Sequence, residues 1–524
     1  MPHLLLTNAN IYTFDPARPR ANAMLFASGR VAAFDDDARA AKNARTETLD
    51  LRGKTIIPGL VDSHVHFTGY AVGRARVQLD GARSLEEAVA RVAARAQTTK
   101  PGEWILGMGW NHMDWARSEF PNKAALDAVA PENPVILDRK DGHSIWLNSA
   151  ALRAANITRD TLDPAGGVID RDASGNPTGI LRERAADLAS TGIGFDPDFV
   201  SENELLAAIR IAHQQGLTGI HNIEGAASLR AWQDLRARGK LNLRVLHTIP
   251  AQHLESAATV GVQAGFGDEW LRIGGVKIFA DGSLGSQTAW MLEPFEHSAD
   301  QRGIAVTPKA DIERLARRAA KAKLMVCTHA IGDRANRDTL DVYEKLRGEG
   351  FHDAVFRIEH VQHLHRDDIP RFRALNVIAA MQPIHQTSDY KMVDQLIGAR
   401  GRWSYAFKSL LNAGATLAFG SDCPVETMDP LVGIHAAVTR ERASGEPRGG
   451  WYPDEKLSVE EAVRAYTVGA AMAAGETPAA GMLAIGSRAD AVVLAENIFE
   501  IPAREILNVK VEKTVVGGNV VYAA

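Results

Sequence analysis

The sequence predicts an α/β fold: a (β/α)₈ TIM barrel, with a composite β-sandwich built from both termini and a β-containing insertion after the first barrel strand. Three observations predict it. Eight short apolar segments end in polar residues, helical stretches rich in Ala, Leu and Arg separate them, and valine-rich β texture recurs at the two ends of the chain.

In chain order, the opening segments LLLTNANIYTF, AMLFASGRVAAF and TLDLRGKTIIPG alternate apolar runs with turn chemistry and predict a small β unit over residues 1–57. Barrel strands are expected at 60–66, 217–224, 243–249, 273–281, 324–329, 355–360, 377–382 and 417–422. Helices are expected at 202–214, 309–321, 335–345 and 403–413. These elements assign 58–475 to the barrel. Residues 476–524 repeat the opening texture, with Gly517-Gly518 placed for a hairpin between valine-rich strands. An open, doubly wound sheet is the alternative architecture. It lacks the Gly-x-Gly-x-x-Gly turn after the first strand that would favour it.

Between the first two barrel strands lie residues 68–200, far more than the usual loop of about 2 to 6 residues. This insertion must carry structure of its own. Its segments EWILGMGW, NPVILDRKDGHSIWL and GGVIDRDASGNPTGIL read as strands placed over the barrel mouth.

Composition excludes several function classes. Of 524 residues, 45% are hydrophobic and 23% charged, enough apolar material for a large core. The 59 Lys+Arg against 64 Asp+Glu give a net charge of -5 without a basic block, which argues against nucleic acid as a partner. Two cysteines, Cys327 and Cys423, exclude a disulfide scaffold or a multi-cysteine zinc ribbon and suit a reducing compartment. No secretory leader and no membrane-length apolar run is expected, so the chain reads as cytoplasmic.

The sharpest chemical feature is His64-Val65-His66 at the end of the first strand, where residues two apart face one side and two imidazoles can share a metal. Alone, such a pair is as often structural. Recurrence changes the odds: His329, His360 and Asp422 end the fifth, sixth and eighth strands. Imidazoles with a carboxylate suit a divalent transition metal, zinc foremost, rather than calcium or magnesium. Lys277, in the apolar fourth strand, is either a snorkelling lysine, a neutral base or nucleophile, or a lysine carbamylated by CO₂ into a bridging carboxylate.

With these residues in place, the chain resembles the metal-dependent amidohydrolase superfamily. The words PGLVDSHVH, KDGHSIWLNSAAL, GGVKIFADGSLGS, THAIGDRAN, RIEHVQHL and FGSDCPV are similar to its amidohydrolase family 3 branch, that of N-substituted formamide deformylase-like enzymes. The resemblance implies a first metal on His64, His66 and Asp422, a second on His329 and His360, and carbamylated Lys277 between them. A mononuclear site stays open. The expected reaction is attack of a metal-activated hydroxide on a carbon-nitrogen bond of a small amide or formamide, with Asp422 as proton shuttle.

On the substrate side, the expected residues are His143 and Trp110 of the insertion, Asp281 at the end of the fourth strand and His385 after the seventh. The cluster Trp104, Trp110, Trp115 and Trp146 points either to an aryl- or acyl-binding wall or to anchors of the insertion. Lactone or ester hydrolysis and ring deamination are alternatives on the same site, and a non-catalytic scaffold is a remote one. A homo-oligomer is compatible with the sequence, which sets no copy number.

Overall fold

The computed structural model describes residues 3–74, 76–190 and 200–524. Eight strands form one parallel sheet in chain order: β1 (Leu60–Val65), β2 (Leu217–Ile223), β3 (Arg244–Pro250), β4 (Leu271–Phe279), β5 (Met325–Ala330), β6 (Phe356–His360), β7 (Val377–Met381) and β8 (Thr416–Phe419). Each overlaps the segment expected for it. Most of their side chains are buried, as a parallel sheet covered on both faces requires.

The ring closes between β8 and β1. Beyond β8, the backbone N–H of Asp422 donates to the carbonyl of His64 at 2.8 Å, and the N–H of His66 donates to the carbonyl of Cys423 at 2.8 Å. Asp62 completes the seam, its Oδ1 accepting from the backbone N–H of His64 and of Ser421, both at 3.0 Å. Gly420 lets the chains meet: a Cβ there would lie 2.5 Å from the His64 nitrogen.

Helices Glu202–Gln214 and Lys309–Lys321 occupy the expected spans, the first opened by a capping box of Ser201 and Glu204. A third runs longer than expected, Asp333–Gly348. The helix expected over 403–413 is shortened to Phe407–Asn412. Tyr405 takes a left-handed φ of 51° and gives its N–H to the Gln362 carbonyl at 2.7 Å, which breaks the helical ladder.

Both termini build the second layer system. One sheet orders Arg30–Phe34, Met24–Ala27, His3–Thr7 and Thr46–Asp50. The other mixes the two ends, pairing Thr55–Pro58 with Ala491–Leu494, followed by Val511–Val516 and Asn519–Ala523. Leu6, Ile11, Phe26, Ile56, Val493 and Val515 pack together as their shared core. Gly517 and Gly518 both take positive φ, 58° and 78°, as a two-residue hairpin turn of the primed type demands.

The insertion contributes its own six-stranded sheet, from Val77–Gln78 to Pro177–Glu183. Residues 75 and 191–199 of the expected 68–200 span lie outside the described residues. Trp110, Trp115 and Trp146 sit inside the insertion with Val135, Leu137 and Leu126. Among the described residues, no helix is long and apolar enough to cross a membrane.

Candidate active site and metal centre

At the carboxyl ends of the barrel strands, the turn beyond each strand, more than the strand itself, aims the polar side chains. His66 lies one residue past β1, and Asp422 lies in the loop past β8 with a left-handed φ of 58°. His360 ends β6 at φ 76°. Strict alternation would send Glu359 and His360 to opposite faces, and this turn brings both inward. Non-glycine residues in that region carry backbone strain that the surrounding fold must offset, a pattern common at functional sites.

The distances assemble one cluster. Asp422 Oδ1 lies 3.2 Å from His66 Nε2 and 3.5 Å from His64 Nε2. These three residues each offer one ligand atom within 4.8 Å of the others. Lys277 Nζ stands 3.3 Å from His64 Nε2. The His360 ring centroid is 4.7 Å from that of His64 and 4.5 Å from that of His329. All six expected ligand residues therefore gather at one place.

Three of the imidazoles have one nitrogen engaged by an acceptor, which leaves the other free as a ligand atom. His64 Nδ1 faces Glu359 Oε2 at 2.6 Å, His360 Nδ1 faces Gln382 Oε1 at 3.0 Å, and His329 Nε2 faces the Gly282 carbonyl at 3.1 Å. This is the donor arrangement a divalent transition metal needs: neutral imidazoles held in one tautomer, together with a carboxylate.

Electrostatics agree with that reading. Burial holds His329 and His360 well below the ordinary imidazole value, and burial with the Lys277 charge brings His64 down to about 4. Burial alone would raise Asp422, but above all the His66 hydrogen bond holds its carboxyl well below the ordinary carboxylate value. Lys277 is lowered by burial, against the pull of Glu359 and Asp422.

On the substrate side the residues divide. His143 reaches the mouth from the insertion, its ring centroid 5.1 Å from that of His329 and its Nδ1 2.9 Å from Glu183 Oε2. Burial opposes protonation of His143, yet Glu183 outweighs it and moves the imidazole up to about 9. His385 comes closer to the metal cluster than expected: His360, His385 and Asp422 form a second group with ligand atoms within 4.8 Å of one another.

Two expected substrate residues are engaged by the protein itself. Trp110 is fully buried in the insertion core, and its indole N–H donates to the Leu137 carbonyl at 2.8 Å, so it anchors the insertion instead of lining the mouth. Asp281 is also fully buried. Its carboxylate accepts from the backbone N–H groups of Trp290, Gly332 and Ile331 at 2.8, 2.7 and 3.0 Å, which ties the loop after β4 to the exit of β5, and its Oδ1 stands 3.5 Å from His329 Nε2.

Four participants went unpredicted. Glu359 and Arg357 share one parity in an otherwise apolar strand, and that alternation was the available signal. Glu183 is brought to His143 only by sheet pairing, with a left-handed φ of 50°. Phe279, 41% exposed at the end of β4, lies with its ring centroid 5.3 Å from that of His329. It shares parity with Lys277, which would have found it.

Known proteins match this arrangement along the whole chain. Residues 47–522 match the model of the amidohydrolase family. The protein LONG AFTER FAR-RED 3 of Arabidopsis thaliana is 35% identical over 536 residues, covering 99% of this chain and 91% of that one. The N-substituted formamide deformylase of Arthrobacter pascens is 29% identical over 542 residues, covering 100% and 98%. An uncharacterized metal-dependent hydrolase from Pyrococcus horikoshii superposes with a TM-score of 0.76 at 28% identity, covering 96% of this chain and 99% of its own. With a match over nearly every residue and the histidines and aspartate converging at the barrel mouth, the chain belongs to the amidohydrolase family and is an enzyme of the hydrolase class.

Proposed function

We propose that this enzyme hydrolyses a non-peptide carbon-nitrogen bond in a small amide, with formamides as the leading class. The observation that carries the reading is the placement of Asp422 Oδ1 within 3.5 Å of both His64 Nε2 and His66 Nε2 at the barrel mouth. The similarity to a formamide deformylase over the whole chain supports the choice of bond. In this reading the barrel, residues 58–475, is the hydrolase domain, and 1–57 with 476–524 form the sandwich.

His64, His66 and Asp422 would hold a first divalent cation, zinc by its donor set, and His329 with His360 a second. Lys277, its ammonium disfavoured by burial, is suited to add to CO₂ as the free amine and, losing a proton, would become a carbamate able to offer oxygen ligands there. When bound, such cations supply Lewis acidity toward a carbonyl and toward water. Asp422 accepts the proton of the attacking water and returns it to the departing nitrogen. His143, held by Glu183, presents a donor to the substrate carbonyl. Phe279 offers an apolar face to the substituent.

A metal-replete activity screen tests the proposal, run across formamides, N-acyl amino acids, aryl amides and lactones with metal content measured in parallel. Turnover of a formamide or amide that disappears on chelation and returns with zinc or manganese is the expected result. Turnover confined to lactones, or undiminished in metal-free protein, would overturn it.

A further inference from the structure

Below the candidate ligands, three charged or ionisable side chains stack inside the barrel with almost no exposure. Glu359 and His64 are fully buried and Arg357 is 1% exposed. Glu359 Oε2 meets His64 Nδ1 at 2.6 Å. Arg357 grips the same carboxylate twice, Nε to Oε1 at 2.9 Å and Nη2 to Oε2 at 3.0 Å. The guanidinium also spans the interior, donating to the Ser63 carbonyl at 2.8 Å and standing 3.0 Å from His221 Nδ1. One side chain of β6 thus contacts β1 and β2.

Such an arrangement is costly unless every group is satisfied, because a buried ion pair loses hydration that its mutual attraction only partly restores. An apolar pair would close the barrel core without that penalty. The acceptors on His360 and His329 are a neutral amide and a backbone carbonyl, whereas His64 faces a carboxyl group gripped by a guanidinium. A carboxylate on the far nitrogen of a metal-binding imidazole fixes its tautomer and raises the electron density at the ligating atom.

We propose that Glu359, clamped by Arg357, is a positioning residue that commits the Nδ1 proton of His64 and thereby sets the metal affinity of the site. Glu359 holds the proton on Nδ1, so Nε2 keeps its lone pair toward Asp422 and Lys277. Arg357 prevents the carboxylate from rotating away. The inference rests on His64 being a metal ligand, as argued above.

The test measures zinc affinity of metal-stripped protein by competition with a fluorescent chelator, for wild type, Glu359→Gln, Glu359→Ala and the double variant Glu359→Ala/Arg357→Met. Thermal unfolding of each apo form and ¹⁵N spectra of its histidines are recorded alongside. Glu359→Ala is expected to weaken zinc binding about 10- to 100-fold. It is also expected to release His64 into a tautomer mixture. Glu359→Gln, which keeps an acceptor and most of the volume, should fall between. The double variant removes the stranded guanidinium, so it should regain thermal stability without regaining affinity. A purely structural pair would recover both together, and that outcome would overturn the proposal, as would zinc binding within about twofold of wild type in the double variant. These readouts need no substrate: wild type that takes up no zinc sinks the metal site and this role with it, whereas tight binding unaffected by the substitutions sinks this role alone.

Discussion

The backbone N–H of Asp422 donates to the carbonyl of His64 at 2.8 Å, so the residue that would shuttle protons and the first histidine of the centre are joined through the main chain at the barrel seam. Their side chains inherit that registration. Gly420 permits it, since a Cβ there would lie 2.5 Å from the His64 nitrogen and 2.6 Å from Asp62 Oδ1. Gly420→Ala is therefore expected to destabilise the fold by about 1–3 kcal/mol, as overpacking typically does. Zinc content should fall with it. Denaturant unfolding and elemental analysis check both, and a variant with unchanged stability would mean the seam relaxes freely.

Asp422→Asn keeps the size of the side chain and removes its capacity to accept a proton. Turnover should drop about 10² to 10⁴-fold, the usual contribution of general acid-base catalysis. Retention of the fold is read from circular dichroism, and metal content from elemental analysis. Near-normal turnover at unchanged occupancy would reject Asp422 as the proton shuttle.

For Lys277 the discriminating experiment is ¹³C NMR of metal-loaded protein prepared with labelled bicarbonate. A carbamate resonance present in wild type and lost in Lys277→Ala is expected. Acetate or propionate should return part of the variant's activity by supplying the missing carboxylate. A fully loaded, active enzyme with no such resonance would leave Lys277 as a plain amine.

Much of this is legible in the amino-acid sequence. Strand ends rich in His and Asp marked the centre, because an eight-fold βα alternation leaves few places for polar side chains except the carboxyl ends of the strands. Turns were not legible: the left-handed backbone at His360 and Asp422, which aims both inward, has no glycine to announce it. Pairings distant in sequence were hidden for a different reason. Glu183 meets His143 only because the strands bearing Ser144 and Arg182 pair side by side, a register that composition does not encode. The tryptophans stayed ambiguous because their large apolar area serves a small subdomain's core as well as it would serve a ligand wall.

Substrate choice should follow Phe279, and overall turnover His143. Phe279→Ala is expected to lower kcat/KM for N-benzylformamide about tenfold relative to N-methylformamide, consistent with loss of one aromatic contact and its buried area. His143→Ala should reduce turnover of all substrates while metal content holds. Steady-state kinetics across the series decide it. An unchanged benzyl-to-methyl ratio would place the substituent elsewhere in the mouth.

Asp141 supplies a pH test independent of the metal. Burial opposes its ionisation, but Arg139, His143 and the Ser283 hydroxyl bring its carboxyl from the ordinary 3.8 down to about 2. A lowered folded-state value gives stability that is present above the unfolded value and lost as pH falls through the folded one, about 2 kcal/mol here. Asp141→Asn should therefore be less stable than wild type by about that amount near neutrality, with the gap closing between about pH 4 and pH 2. Urea titrations across that range measure it. A gap that does not narrow toward acid would assign the loss to packing.

The strand Thr55–Pro58 runs through Gly59 straight into the strand that carries His64, and its partner in the sandwich is Ala491–Leu494. During synthesis that partner leaves the ribosome long after every candidate ligand has emerged. Until then, the root of β1 lacks a neighbour on one side, and the His64 to Asp422 seam closes on an unsupported base. A ribosome-bound chain stalled before residue 491 would present all the histidines and the aspartate yet lack the strand that pairs with the root of β1.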